Sequence, residues 1–112
     1  MCGLAGFWSP RASGGDWQDG VLRGMGAALQ HRGPDAEGGW KDAGKGVGLV
    51  HRRLAIQDLS PAGAQPMASS SDRYLMVFNG EIYNFNRLRK DLEARGQVFK
   101  GHSDTEVMLA AF

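Results

Sequence analysis

Met1-Cys2-Gly3-Leu4-Ala5-Gly6-Phe7-Trp8 opens the chain and carries its only cysteine. As structure, the apolar run from Cys2 to Trp8 reads as a buried strand closed by Ser9-Pro10, its two glycines letting a neighbour pack closely on the backbone. As chemistry, trimming of Met1 by an aminopeptidase puts a thiol and a free α-amine on one residue. In water a cysteine thiol titrates near about 8.5 and an α-amine near about 8, so the amine can take the thiol proton with no separate histidine or lysine base. A lone cysteine is more often a small buried apolar residue, and the rest of the chain decides between the two readings.

Outward from this strand, Ser13-Gly14-Gly15-Asp16 has capping-box spacing, and Trp17, Val21, Met25 and Leu29 then fall on one helical stripe that Gly33-Pro34 stops near His31. Val47 to Arg52 and Tyr74 to Phe78 read as strands. Asn84 or Asn86 caps a helix that turns Leu88 and Leu92 inward and ends at Gly96. Ser103 and Glu106 make a second capping box, opening a helix through Val107, Met108, Ala111 and Phe112, within which the sequence stops. This mixture of strands and helices is α+β rather than a regular βαβ repeat.

Composition narrows the classes. The chain has 112 residues, enough for one domain or part of one, with a 42% hydrophobic and 22% charged share typical of a globular protein. Thirteen Lys and Arg against twelve Asp and Glu leave a net charge of +1 and no basic stripe, so neither nucleic acid nor a membrane surface is an expected partner. One cysteine excludes an internal disulfide framework and fits a reducing compartment, and no leader or membrane-length apolar run is visible; the expected location is cytoplasmic.

Four further clusters carry chemistry, each with a plain structural reading beside it. His31-Arg32-Gly33-Pro34-Asp35 is a helix stop and turn. Leu49-Val50-His51-Arg52-Arg53-Leu54 is a strand ending in charge, but adjacent arginines also suit a carboxylate, which guanidinium grips bidentately; the apolar residues after Arg53 favour it for the partly buried role. Asn79-Gly80 after an apolar strand predicts a tight hairpin turn, and such a turn presents a backbone N–H and an asparagine amide together, as an oxyanion hole requires. Gly101 to Glu106 is a helix N-terminus with acidic residues near its positive end, one of which can hold an ammonium group.

In this order the segments Met1-Cys2-Gly3, His31 to Asp35, His51 to Ile56, Asn79 to Asn84 and Ser103 to Glu106 resemble the glutaminase domain of class II glutamine amidotransferases, N-terminal-nucleophile hydrolases, and most closely that of glutamine-hydrolysing asparagine synthetases. The resemblance runs through almost the whole chain. It implies a four-layer αββα sandwich, incomplete at its C-terminus, with residues 1–112 as a partial amidotransferase domain. It implies Cys2 as nucleophile, with Asn79 and Gly80 as oxyanion donors. Glutamine would lie among Arg53, Leu54, Ala55, Ile56, Gln57, Asn79, Gly80, Glu81 and Asp104: Arg53 on its α-carboxylate, and Asp104, with Glu81, on its α-ammonium. The His31 to Asp35 segment is a supporting loop with no chemical step of its own.

By the same resemblance, the ammonia released passes to a synthetase domain that uses aspartate, ATP and magnesium, in a full-length form for which a homodimer is one arrangement. That domain is not in these residues, and no cofactor is expected in this segment. Gly39 to Gly46 has P-loop spacing, but Gly46 lacks the hydroxyl that would meet magnesium, and the residues after it read as a strand instead of a helix. The acceptor of the nitrogen is open: a sugar or a cell-envelope intermediate is an alternative to aspartate, and so is a remnant or interaction protein that retains the residues without turnover.

Overall fold

A computed structural model describes residues 1–11 and 16–112. Among the described residues, five strands and three α-helices follow in the order β1 (Gly3–Trp8), α1 (Asp16–Ala28), β2 (Ala36–Asp42), β3 (Val47–Arg53), β4 (Met67–Ala68), β5 (Leu75–Met76), α2 (Phe85–Ala94) and α3 (Asp104–Ala111), with a 3₁₀ turn at Pro61–Gly63 before β4. The class is α+β, as expected, with two antiparallel sheets, one ordered β1-β3-β2 and one made of β4 and β5.

Strand β3 is central, and its alternation organises the molecule. Side chains at successive positions point to opposite faces. Val50 and Gly48 face α1, where Val50 packs by Gly26 and Gly48 by Leu22, and Arg52 on the same face donates from Nε to the Gly26 carbonyl at 2.9 Å and pairs with Glu37. His51 and Arg53 face the other way, toward the segments that follow β3 and β5. The partners keep the same parity: Glu37 is opposite Arg52, Lys41 is opposite Gly48, and Lys41 reaches Asp19 of α1 at 2.7 Å. Cys2 stands just before β1, level with the end of β3.

Several expectations change, among them the strand read from Tyr74 to Phe78, of which only Leu75–Met76 pairs. Strand β2 was not foreseen, and the segment with P-loop spacing is the β2–β3 hairpin. Lys45 lies in its turn, with its backbone N–H donating to Asp42 Oδ1 at 3.0 Å, and Gly46 takes the left-handed φ of +66° that closes it. The buried line of α1 is Gln18, Leu22 and Gly26, one position on from the predicted stripe. Gly26 is the reason, since its missing side chain lets the helix settle on Glu37 and Val50; the cap predicted at Ser13 lies outside the described residues. Asn79-Gly80 makes no hairpin, because the chain beyond it runs through Ile82 into α2.

The remaining helices form as their ends dictate. Helix α2 closes in a Schellman motif, with Gln97 N–H donating to Leu92 O and Gly96 N–H to Glu93 O, and Gly96 at φ +93°. Its N-cap, Asn84, makes no side-chain cap bond, and Leu88 and Leu92 are half-buried. Ser103 Oγ accepts from Glu106 N–H at 3.2 Å, as its box predicts, but the Glu106 carboxylate reaches back past Ser103 to the N–H groups of Lys100 and Gly101. Val107 and Leu109 are buried in α3. On the large sheet, the face away from α1 carries Leu4, Trp8 and Trp40 exposed, Trp8 at 75%, so β1 is not the buried strand its apolar run predicts: alternation turns Leu4 and Trp8 away from α1.

Candidate active site

Every residue named from the sequence as catalytic or substrate-binding lines one cleft of about 440 Å³. Four separate pieces of chain meet there: Cys2 before β1, Arg53 and the following loop Leu54 to Gln57, the loop Asn79 to Glu81 after β5, and Asp104 as the first residue of α3. Met1 also lines it and is exposed.

The thiol is fixed by main chain. Leu54 N–H donates to Cys2 Sγ at 3.2 Å, and Sγ lies 3.5 Å from Leu54 O. The loop from His31 to Asp35 supports it from behind: Arg32 Nε donates to Cys2 O at 3.2 Å, Asp35 N–H to Arg53 O at 3.0 Å, and Ala55 N–H to Asp35 Oδ2 at 2.8 Å. Gly33 makes the loop's close approach feasible, because a Cβ there would strike the Arg52 carbonyl.

Strand parity, not burial, separates the two arginines. Arg52 is committed to α1 and Glu37, whereas Arg53 lines the cleft and donates through Nη1 to Ser60 O at 2.8 Å and through Nη2 to Asp58 O. Five N–H groups on a guanidinium leave donors over for an incoming carboxylate. Asp104, on the same cleft, is buried and accepts from Ile82 N–H at 2.9 Å, and its own N–H donates to Gln57 Oε1 at 3.4 Å. Asn79 is half-buried, and Gly80, Glu81 and Ile56 are exposed on the cleft wall.

Asp58, His51 and Gln65 also line the cleft and carry no role in the sequence reading. Asp58 is buried, and bonds from the His102 N–H at 2.7 Å and from Ser60, whose N–H lies 2.8 Å away, pull its carboxyl down to about 2. Asp-Leu-Ser-Pro is a turn signature in which an Asp accepts from the N–H two residues on, and it was available at Asp58. His51 is only 1% exposed; desolvation lowers its pKa, against a raising contribution from its bond to Phe78, and Arg53 lowers it further. Gln65 bridges Phe78 N and Thr105. No signal in the sequence marks its role.

Among the described residues no group of three or more His, Cys, Asp or Glu is placed to hold a metal, and no helix is long and apolar enough to cross a membrane. The cleft lining brings together the Cys2 thiol, the Arg53 guanidinium and the carboxylates of Asp58, Glu81 and Asp104.

The pattern of the glutamine amidotransferase domain family matches residues 1–112, and the chain belongs to that family of enzymes. It is 42% identical over 114 residues to glutamine-hydrolyzing asparagine synthetase 1 of Bacillus subtilis strain 168, covering 100% of this chain and 17% of that protein. Against glutamine-hydrolyzing asparagine synthetase 3 of the same strain it is 39% identical over 114 residues, covering 100% and 18%. Against amidase chry2 of Gibberella zeae it is 43% identical over 84 residues, covering 75% and 12%. The chain thus spans less than a fifth of the length of these relatives.

Proposed function

We propose that the cleft binds glutamine and hydrolyses its side-chain carboxamide through a thioester on Cys2. The observation that carries this is the convergence of Cys2, Arg53, Asn79, Gly80 and Asp104 on one cleft from four separate pieces of chain. Arg53 pairs with the α-carboxylate and Asp104, with Glu81 beside it, takes the α-ammonium, so both ends of the zwitterion are fixed and the carboxamide is delivered to the thiol. The wall from Leu54 to Gln57 flanks the substrate's methylenes.

With Met1 removed, the Cys2 α-amine takes the thiol proton and the thiolate attacks the carboxamide carbon. The Asn79 amide and Gly80 N–H hold the oxyanion, a donor of this kind being worth about 3 kcal/mol of barrier. The resulting ammonium returns the proton to the leaving nitrogen, ammonia departs, and water cleaves the γ-glutamyl thioester to give glutamate.

On this reading the ammonia serves a synthesis carried out by a partner domain outside these residues. The relatives named asparagine synthetases favour aspartate as acceptor, with ATP and magnesium held in that domain of a cytoplasmic enzyme. The exposed row Leu4, Trp8 and Trp40 fits a further sheet packed on that face, as a four-layer αββα sandwich requires. The test is glutamate release by the full-length protein with and without Cys2→Ala, run with and without ATP and aspartate. Cys2-dependent release supports the hydrolysis, and asparagine formation supports the acceptor. Release unaffected by Cys2→Ala would refute the mechanism.

A further inference from the structure

The segment carrying Asn79 and Gly80 is held by two side chains that the mechanism above does not use. Phe78, the residue before Asn79, has both its backbone groups gripped: its N–H donates to Gln65 Oε1 at 2.6 Å, and its carbonyl oxygen lies 3.3 Å from His51 Nε2. A carbonyl only accepts, so His51 carries a proton on Nε2 and donates. The Phe78 carbonyl belongs to the same rigid peptide plane as the Asn79 N–H, and its direction fixes how the backbone enters Asn79.

The far end of Gln65 is anchored in turn. Its Nε2 donates to Thr105 Oγ1 at 3.3 Å, in the first turn of α3, and the adjacent Asp104 holds Ile82 N–H at 2.9 Å. Asn79, Gly80 and Glu81 therefore span two fixed points, Phe78 and Ile82. His51 is fully buried on the central strand and cannot shift without disturbing the sheet, which makes it a rigid post.

We propose, resting on the hydrolysis reading above, that Gln65 and His51 are positioning residues that aim the Asn79 and Gly80 donors at the developing oxyanion. They act on the chemical step and leave glutamine binding alone. Oxyanion donors must be held within roughly half an ångström of their productive place, and a three-residue loop freed at one end does not hold them there.

The test uses the full-length protein. Gln65→Met keeps length but removes the acceptor for Phe78 N–H; it is expected to lower kcat for glutamate release about 10- to 100-fold while KM for glutamine stays within about twofold. Gln65→Glu keeps that acceptor, and the Thr105 hydroxyl can turn to donate to it, so it is expected to recover most of the lost rate. His51→Asn and His51→Gln form a matching pair, since a glutamine amide nitrogen reaches the place of Nε2 and an asparagine amide does not. Alkylation of Cys2 by iodoacetamide, which needs no oxyanion hole, should proceed at the parent rate throughout.

A variant that does not fold is replaced by Thr105→Val, which loosens Gln65 without touching Phe78 and should lower kcat about 3- to 10-fold at unchanged KM. An unchanged kcat in a folded Gln65→Met or Thr105→Val, or losses shared equally by kcat, KM and alkylation, would overturn the proposal. Parent-level glutamate release by Cys2→Ala would overturn the hydrolysis reading itself, whatever these variants do.

Discussion

Cys2 and Leu54, 52 positions apart, meet through sulfur and main chain: the Leu54 N–H donates to Sγ at 3.2 Å and Leu54 O lies 3.5 Å from it. The contact ties the start of the chain to the loop that leaves Arg53, so the Cys2 thiol and the Arg53 guanidinium are spaced by backbone on both sides. Arg32 and Asp35 brace the same junction from behind. The spacing of Cys2 and Arg53 is thereby set by short, stiff connections rather than by long side chains reaching across solvent.

The two neighbouring arginines should behave differently. Arg53→Ala is expected to raise the KM for glutamine by roughly 30- to 150-fold, the loss of one charge-assisted pair worth about 2 to 3 kcal/mol. Arg52→Ala should lower the melting temperature, because it frees Glu37 and the Gly26 carbonyl, while KM moves less than about threefold. Steady-state kinetics and thermal melts on both variants decide it, and a large KM effect in Arg52→Ala alone would move the carboxylate contact to the α1 face.

Asp104 can be read through a substrate lacking the α-amine, the monoamide of glutaric acid. The parent should discriminate against it by about 30-fold or more in kcat/KM, and Asp104→Asn should lose most of that discrimination. Equal discrimination in both proteins would assign the ammonium to Glu81 instead.

Acid should unfold the protein in two stages. The His51 pKa is lowered in the fold, so the unfolded chain takes up that proton first and stability begins to fall below about pH 6.5. The Asp58 carboxyl is depressed from 3.8 to about 2, so its contribution is complete above about pH 4 and is lost between about pH 4 and pH 2. Melting temperature against pH for the parent and Asp58→Asn measures this. The variant should be less stable at pH 7, and its curve should lack the lower stage; coincident curves would contradict the assignment.

Much of the cleft lining was legible because the residues proposed for its chemistry are of types that stand out in sequence: a lone Cys2, paired arginines, Asn79-Gly80 and an acidic helix start. The choice of Arg53 over Arg52 rests in the fold on alternation along β3, with Val50 and Arg52 on one face and His51 and Arg53 on the other. Strand β2 was not legible. Ala36 to Asp42 has no apolar alternation, and it is a strand because β3 pairs with it and because Glu37 and Lys41 bond across to Arg52 and Asp19. The Asn79-Gly80 hairpin failed because a two-residue turn needs a returning strand, and the segment beyond instead enters α2. His51 and Gln65 act through Phe78, 27 and 13 positions away, contacts that no local pattern encodes.

The exposed row Leu4, Trp8 and Trp40 leads to an expectation about residues 1–112 alone. Expressed as an isolated segment they should bind an apolar dye, unfold without a sharp transition and release no glutamate, since these three side chains stay wet. In the full-length protein the same tryptophans should be shielded from acrylamide. A cooperative melt with Cys2-dependent turnover by the isolated segment would show that these residues suffice.

The central claim, an N-terminal Cys2 acting with its own amine, is tested most directly by intact-mass measurement of protein quenched in acid during glutamine turnover. Protein beginning at Cys2 should carry one γ-glutamyl group, released by mild alkali and mapped to Cys2. Protein retaining Met1 should carry none, because its Cys2 nitrogen is a non-basic amide. Full turnover with Met1 in place, or an adduct that survives Cys2→Ala, would contradict the account.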